Sequence, residues 1–140
     1  MAEYTANALQ LVGVNQNVLF TDTSICGNNS IIHRDGSGLI TLRGMTCQCR
    51  ARFKVSFGGN IAIPTGGTAG AISLALAING ESVQITNMIV TPAAVEEFFN
   101  VFSAIYIDVP NGCCSTLGIK NVSTIPIDVQ NANLIVERVA

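Results

Sequence analysis

The sequence predicts an all-β chain: a single-domain jelly-roll sandwich of about ten short antiparallel strands. Three observations carry this. Apolar and polar residues alternate with a period of two, most clearly where Ala51, Phe53, Val55 and Phe57 alternate with Arg50, Arg52, Lys54 and Ser56. Runs of this kind recur at near-regular spacing, bounded by Gly, Pro, Asn or Asp. One of them closes on Asn79-Gly80, the dipeptide best suited to a type I′ hairpin turn.

In chain order, residues 1–13 precede the first clear strand and are expected to form an amino-terminal arm. It would contact a neighbouring subunit or a larger shell, ahead of a jelly-roll domain over residues 14–140. Strands are expected over 18–21, 30–33 and 39–43, each short and bounded by turn-forming residues. Residues 51–57 make a half-buried strand with a basic outer face. Next, Ile72, Leu74, Leu76 and Ile78 alternate with Ser73, Ala75, Ala77 and Asn79, and the hairpin sends the chain back along 82–89. The one helical suggestion is Thr91-Pro92-Ala93-Ala94-Val95-Glu96-Glu97, with Thr91 as a cap and Pro92 at the first helical position, a single turn at most. Strands over 98–109, 115–122, 125–129 and 133–139 complete the pattern. No internal repeat, low-complexity tract or linker divides the chain.

Composition narrows the function classes. A chain of 140 residues is one domain's worth, which argues against a two-domain enzyme. Charged residues make up 11% and apolar residues 49%, against a soluble norm of about 25% charged. That is too little charge to coat an isolated globule, so part of the outer surface is expected to be buried by other subunits. The formal charge of -2 leaves no electrostatic footprint for nucleic acid or for an anionic membrane. The opening Met1-Ala2-Glu3-Tyr4-Thr5 has no basic start, apolar core or small-residue cleavage site, which predicts no secretory leader and folding in the cytoplasm. The long uncharged span over 55–80 holds Asn60, Pro64, Asn79 and six glycines, so no membrane segment is predicted.

Five cysteines, an odd number, make a disulfide framework a poor reading, and free thiols are expected. Zinc is the sharper alternative, since Cys47, Cys49, Cys113, Cys114 and His33 supply soft ligands; neither cysteine pair has the two to four intervening residues of a zinc knuckle. No metal or other cofactor is therefore predicted. His33-Arg34-Asp35 looks like a kinase catalytic loop, but Ile40 stands where that loop needs its metal-binding asparagine. Gly66-Gly67-Thr68-Ala69-Gly70 has no lysine to meet a phosphate. Glu96 and Glu97 are adjacent and point apart, so they cannot flank one bond. With His33 the sole histidine, no nucleophile has an evident base, and a non-enzymatic protein is expected.

Several segments carry a resemblance. Residues 51–57 lead into an apolar strand closing on Asn79-Gly80-Glu81, and 102–109, 115–121 and 132–140 look like three final strands. In this the chain resembles the jelly roll of the tumour necrosis factor and complement globular-head superfamily, which assembles as a homotrimer. Asn17-Val18-Leu19-Phe20, His33-Arg34-Asp35-Gly36-Ser37-Gly38, Gly59-Asn60-Ile61-Ala62-Ile63-Pro64 and Cys113-Cys114 followed by Asn121-Val122-Ser123 are similar to segments of its bacterial and phage branch. That branch includes collagen-like spore-surface heads and virion surface proteins. A Gly-X-Y stalk, which the spore proteins carry, is absent from this sequence.

The resemblance implies a tumour-necrosis-factor-like homotrimer that buries an apolar seam from each chain. Phe98, Phe99, Phe102 and Tyr106, with Ile135 and Val139 beside them, are the trimer-interface candidates. The same residues could instead fill the space between the sheets, and the pattern leaves open which face of their strand is core and which is interface. The expected function is capsid decoration: a trimer on the exterior of a phage virion, synthesised in the host cytoplasm, with the major capsid protein or other virion proteins as partners. The alternative is a recognition module, a spore-coat head or tail-fibre tip, binding glycan or protein through loops such as 65–70 or 111–114. A chain without Trp and with only Tyr4 and Tyr106 is poorly supplied for stacking on sugars.

Overall fold

The computed structural model describes residues 1–26 and 30–140. Twelve strands among them form two antiparallel sheets. The first sheet runs in the order β10 (Phe99–Pro110), β6 (Arg50–Ala62), β12 (Ile127–Arg138), β1 (Ala2–Ala6), β3 (Asp22–Ile25), with β2 (Gln10–Val12) also paired to β12. The second runs β4 (Ile31–His33), β5 (Ile40–Arg43), β11 (Cys114–Asn121), β7 (Ile72–Ile78), β8 (Glu81–Ser82), with β9 (Met88–Val90) also on β7. The all-β jelly-roll sandwich expected from the alternation is what the chain adopts.

The core lies between the sheets. Ala51, Phe53, Val55 and Phe57 are fully buried from β6, facing Leu74 and Leu76 of β7 and Leu117 and Ile119 of β11 in one contiguous cluster. Their polar alternates stay on the outer face, as the period of two requires. Phe20 meets Phe57 edge-on at 6.4 Å between ring centres, a favoured aromatic geometry. The hairpin after β7 forms where Asn79-Gly80 places it, with φ of 53° and 86° and Ile78 paired to Glu81.

The structure departs from the sequence reading in several places. Residues 1–13 are no detached arm: Ala2, Tyr4, Ala6 and Val12 are buried in the core, and β1 and β2 both pair with β12. Residues 18–21 form no ladder strand, because the chain there bonds to three different segments; Val18 N–H donates to Ile119 O, Phe20 N–H to Ser37 O and Thr21 N–H to Thr5 O. The strand expected over 82–89 is broken by a 3-10 turn at Gln84–Thr86, where the buried Thr86 hydroxyl takes the Leu76 N–H at 3.0 Å in place of a backbone carbonyl. Residues 91–97 hold no helical turn; Glu96 adopts a positive φ of 58° and its N–H bonds Ile63 O. Finally, 125–129 and 133–139 belong to one strand, β12, carried past a bulge between Gln130 and Asn133.

Candidate functional site

β10 lies at the edge of the first sheet, and its alternation decides which side chains meet solvent. Val101, Ile107 and Val109 point into the sandwich and are buried, so Phe102, Ala104, Tyr106 and Asp108 point out. Register carries the outer face across the sheet. Phe102 stands opposite Gly58, Ala104 opposite Ser56, and Tyr106 opposite Lys54. Ser56 in turn faces Ile135 of β12, which faces Glu3 of β1. Gly58, Ser56 and Ala104 are small and lie between the two aromatic rings, with Lys54 beside Tyr106 and Ile135 on the next strand. Phe102 is 67% and Tyr106 61% exposed, and Ile135 is half-buried. A Cβ on Gly58 would come within 3.1 Å of Asn133 Oδ1, closer than ordinary contact, so the glycine leaves room for the Asn133 amide beside it.

Of the six sequence candidates, the structure brings Phe102, Tyr106 and Ile135 onto this one face. Val139 lies just past the end of β12, 43% exposed, with its N–H donating to Arg52 O. Phe99 opens β10 with the opposite parity, paired to Ile61, and Phe98 precedes the strand. These two aromatics therefore stand at the end of the sandwich, away from the other pair.

The face is bounded by two polar borders. On one side Asp108 accepts from Arg52 Nε at 2.8 Å and Nη2 at 3.2 Å, and Arg50 Nε lies 3.2 Å from the same carboxylate. The Arg52 hydrogen bonds, with the charges of both arginines, hold the Asp108 carboxyl below its ordinary value. On the other side runs a row of asparagine amides. Asn100 Nδ2 donates to Asn60 Oδ1 at 3.2 Å, Asn60 Nδ2 to Asn131 Oδ1 at 3.1 Å, and Asn131 Nδ2 to Asn7 Oδ1 at 2.6 Å. Sequence reasoning missed this row entirely. Its members lie far apart in the chain, and only the pairing of β10, β6, β12 and β1 aligns them.

The His33 side chain is buried under Tyr4, with ring centres 4.4 Å apart, and its Nε2–H donates to Ser37 O at 2.9 Å. Nδ1 has no hydrogen-bond partner and sits 3.9 Å from Asp35 Oδ1, which is held by the Thr23 hydroxyl at 2.7 Å. This is a strand end running into the turn at Gly36, where φ is 89°. All five cysteines are free and exposed. Cys113 and Cys49 offer their carbonyls to the Gly44 and Asn111 N–H groups, which places the loops that bear four of the five thiols side by side. Among the described residues no three His, Cys, Asp or Glu side chains come together as a metal would need, and no helix is long and apolar enough to cross a membrane.

No family model matches the sequence, and no curated protein is detectably similar to it. Solved structures are similar in fold. The Eiger tumour necrosis factor of S. frugiperda aligns with a TM-score of 0.71 at 11% identity, over 99% of this chain and 91% of that one. The globular domain of zebrafish complement 1qA protein gives 0.62 at 14% identity, over 96% and 94%. Murine APRIL gives 0.62 at 6% identity, over 97% and 98%. At such identities the likeness is one of fold: the chain is a jelly roll of the tumour necrosis factor and complement globular-head type.

Proposed function

We propose that this chain is a non-enzymatic structural protein that closes into a homotrimer through the outer face of its first sheet and acts by adhesion. The observation that carries the reading is the exposure of Phe102 and Tyr106 on an edge strand, beside Ile135, in a chain of only 11% charged residues. Burying one such aromatic is worth on the order of 1.5 to 3 kcal/mol, and a three-fold contact collects that gain at each of its interfaces. Phe98, Phe99 and Val139 lie at the margins of the face and would be covered at its rim. The pairing of β1 and β2 with β12 holds residues 1–13 to the first sheet and leaves the outer loops, rather than a free arm, to reach a larger surface.

The place we propose for the trimer is the exterior of a phage capsid, as a decoration that binds the major capsid protein after synthesis in the host cytoplasm. This rests on the sequence likeness of residues 59–64 and of Cys113-Cys114 to the phage branch, and on a three-fold symmetry that suits three-fold positions of an icosahedral shell. The test is to compare virions made with and without the protein. Loss of surface density in its absence is expected; unchanged density overturns the virion assignment. A trimer that leaves shells untouched but binds glycan or protein through loops 65–70 or 111–114 would establish the recognition module instead.

A further inference from the structure

Four asparagines on the proposed trimer face form a directional row, and we infer that a second copy of this chain completes it: the free amide donor of Asn7 in one subunit meets the free amide acceptor of Asn100 in the next. The inference rests on the homotrimer reading and adds the residues that would set its register and hand.

The row is built, not incidental. Asn131 is the extra residue of the β12 bulge and takes a left-handed φ of 56°. Glycine occupies such a position without strain, whereas asparagine brings a side chain, and bulges commonly serve to re-aim one. Here the re-aimed amide joins Asn60 on one side to Asn7 on the other. In open water such bonds add little, because each amide is as well served by solvent. Under a covering subunit the balance changes: an unpaired amide would pay its full desolvation cost, and a row already satisfied within its own chain pays far less. The row also crosses the same sheet face as Phe102 and Ile135, from the β10 edge to the junction of β1 and β2.

Its direction follows from the backbone beside it. Asn131 Nδ2 faces the Asn7 backbone carbonyl oxygen at 3.5 Å as well as Oδ1, and a carbonyl can only accept, which favours the orientation of the Asn131 amide with Nδ2 toward Asn7. Each bond upstream follows from that. Asn7 Nδ2 at one end and Asn100 Oδ1 at the other are then left without a partner among the described residues. A two-fold contact that brought like ends together would set donor against donor. A head-to-tail contact sets donor against acceptor, and that is the arrangement that closes a three-fold ring.

The test uses the whole chain, with association followed by analytical ultracentrifugation across a dilution series and folding by far-UV circular dichroism. Asn131→Gly keeps the bulge comfortable and deletes the centre of the row. Asn7→Asp keeps the acceptor for Asn131 but removes the free donor and sets a carboxylate against the partner's carbonyl. Both are expected to retain the β spectrum and to raise the trimer dissociation concentration about tenfold or more. In an Asn100→Ala background the effect of Asn7→Asp should shrink, because the acceptor it opposes is gone. A trimeric wild type whose variants associate as it does, or an Asn7→Asp effect unchanged by Asn100→Ala, overturns the amide contact and leaves the trimer standing. A monomeric wild type overturns the trimer reading and this inference with it.

Discussion

Asn121 is fully buried and uses its whole amide: the two Nδ2 hydrogens are shared among the carbonyls of Val12, Gly13 and Ile125 at 3.0 to 3.2 Å, and Oδ1 accepts from Ser123 N–H at 2.9 Å. It ties the end of β2 and the turn before β12 to β11. Asn121→Ala strands those partners in the interior, and the expected loss is about 2 to 4 kcal/mol in a urea titration. A variant of wild-type stability would show that water replaces the side chain. Asp128 behaves in the opposite sense. It is nearly buried on β12, and burial, with repulsion from Glu96, raises its carboxyl above the ordinary value. The folded state then holds this proton more tightly than the unfolded chain does, so the contribution to stability falls as pH rises from about 3.9 through the folded value. Asp128→Asn should accordingly raise the urea midpoint at pH 7, and the gain should fade as pH is lowered toward 4. A destabilised variant at pH 7 would mean that the charged form has a favourable partner. Asn121 entered the sequence reading only as part of Asn121-Val122-Ser123, and the burial of neither residue was legible there, since a buried Asn or Asp carries no local signature that separates it from a turn.

β6 and β7 were legible because each keeps one parity over its central run; Phe53, Val55 and Phe57 could face only inward, and Asn79-Gly80 fixed the hairpin. β1 was not, because Ala2, Tyr4 and Ala6 are too small or too polar to mark a buried strand, although β12 and β3 enclose it on both sides. β12 read as two strands because the bulge at Asn131 breaks its alternation in the middle. For β10 the difficulty was different: both faces carry apolar residues, and only the partner strand and the second sheet decide that Val101 and Ile107 go inward while Phe102 and Tyr106 go out. An exposed apolar edge of this kind is an association hazard unless something covers it. Replacing Phe102 and Tyr106 together by Ser should therefore leave the monomer's β content unchanged while abolishing self-association, read by circular dichroism and sizing. Loss of the fold would instead assign the two rings to the sandwich itself.

The whole molecule joins a well-filled core to a surface poor in charge. Sequence composition made that imbalance visible, and the fold places two exposed aromatic rings, Phe102 and Tyr106, on the outer face of the first sheet. The asparagine row that borders this face was beyond reach from sequence, because positions 7, 60, 100 and 131 meet only through the topology. The central claim, that copies of this chain cover that face, is tested most directly by the absolute mass of the purified protein. It would be taken by light scattering behind a sizing column, at micromolar concentration with reductant present so that the exposed thiols cannot cross-link. A single species at three times 14.7 kDa is the predicted result; a species of 14.7 kDa that persists as concentration rises would contradict it.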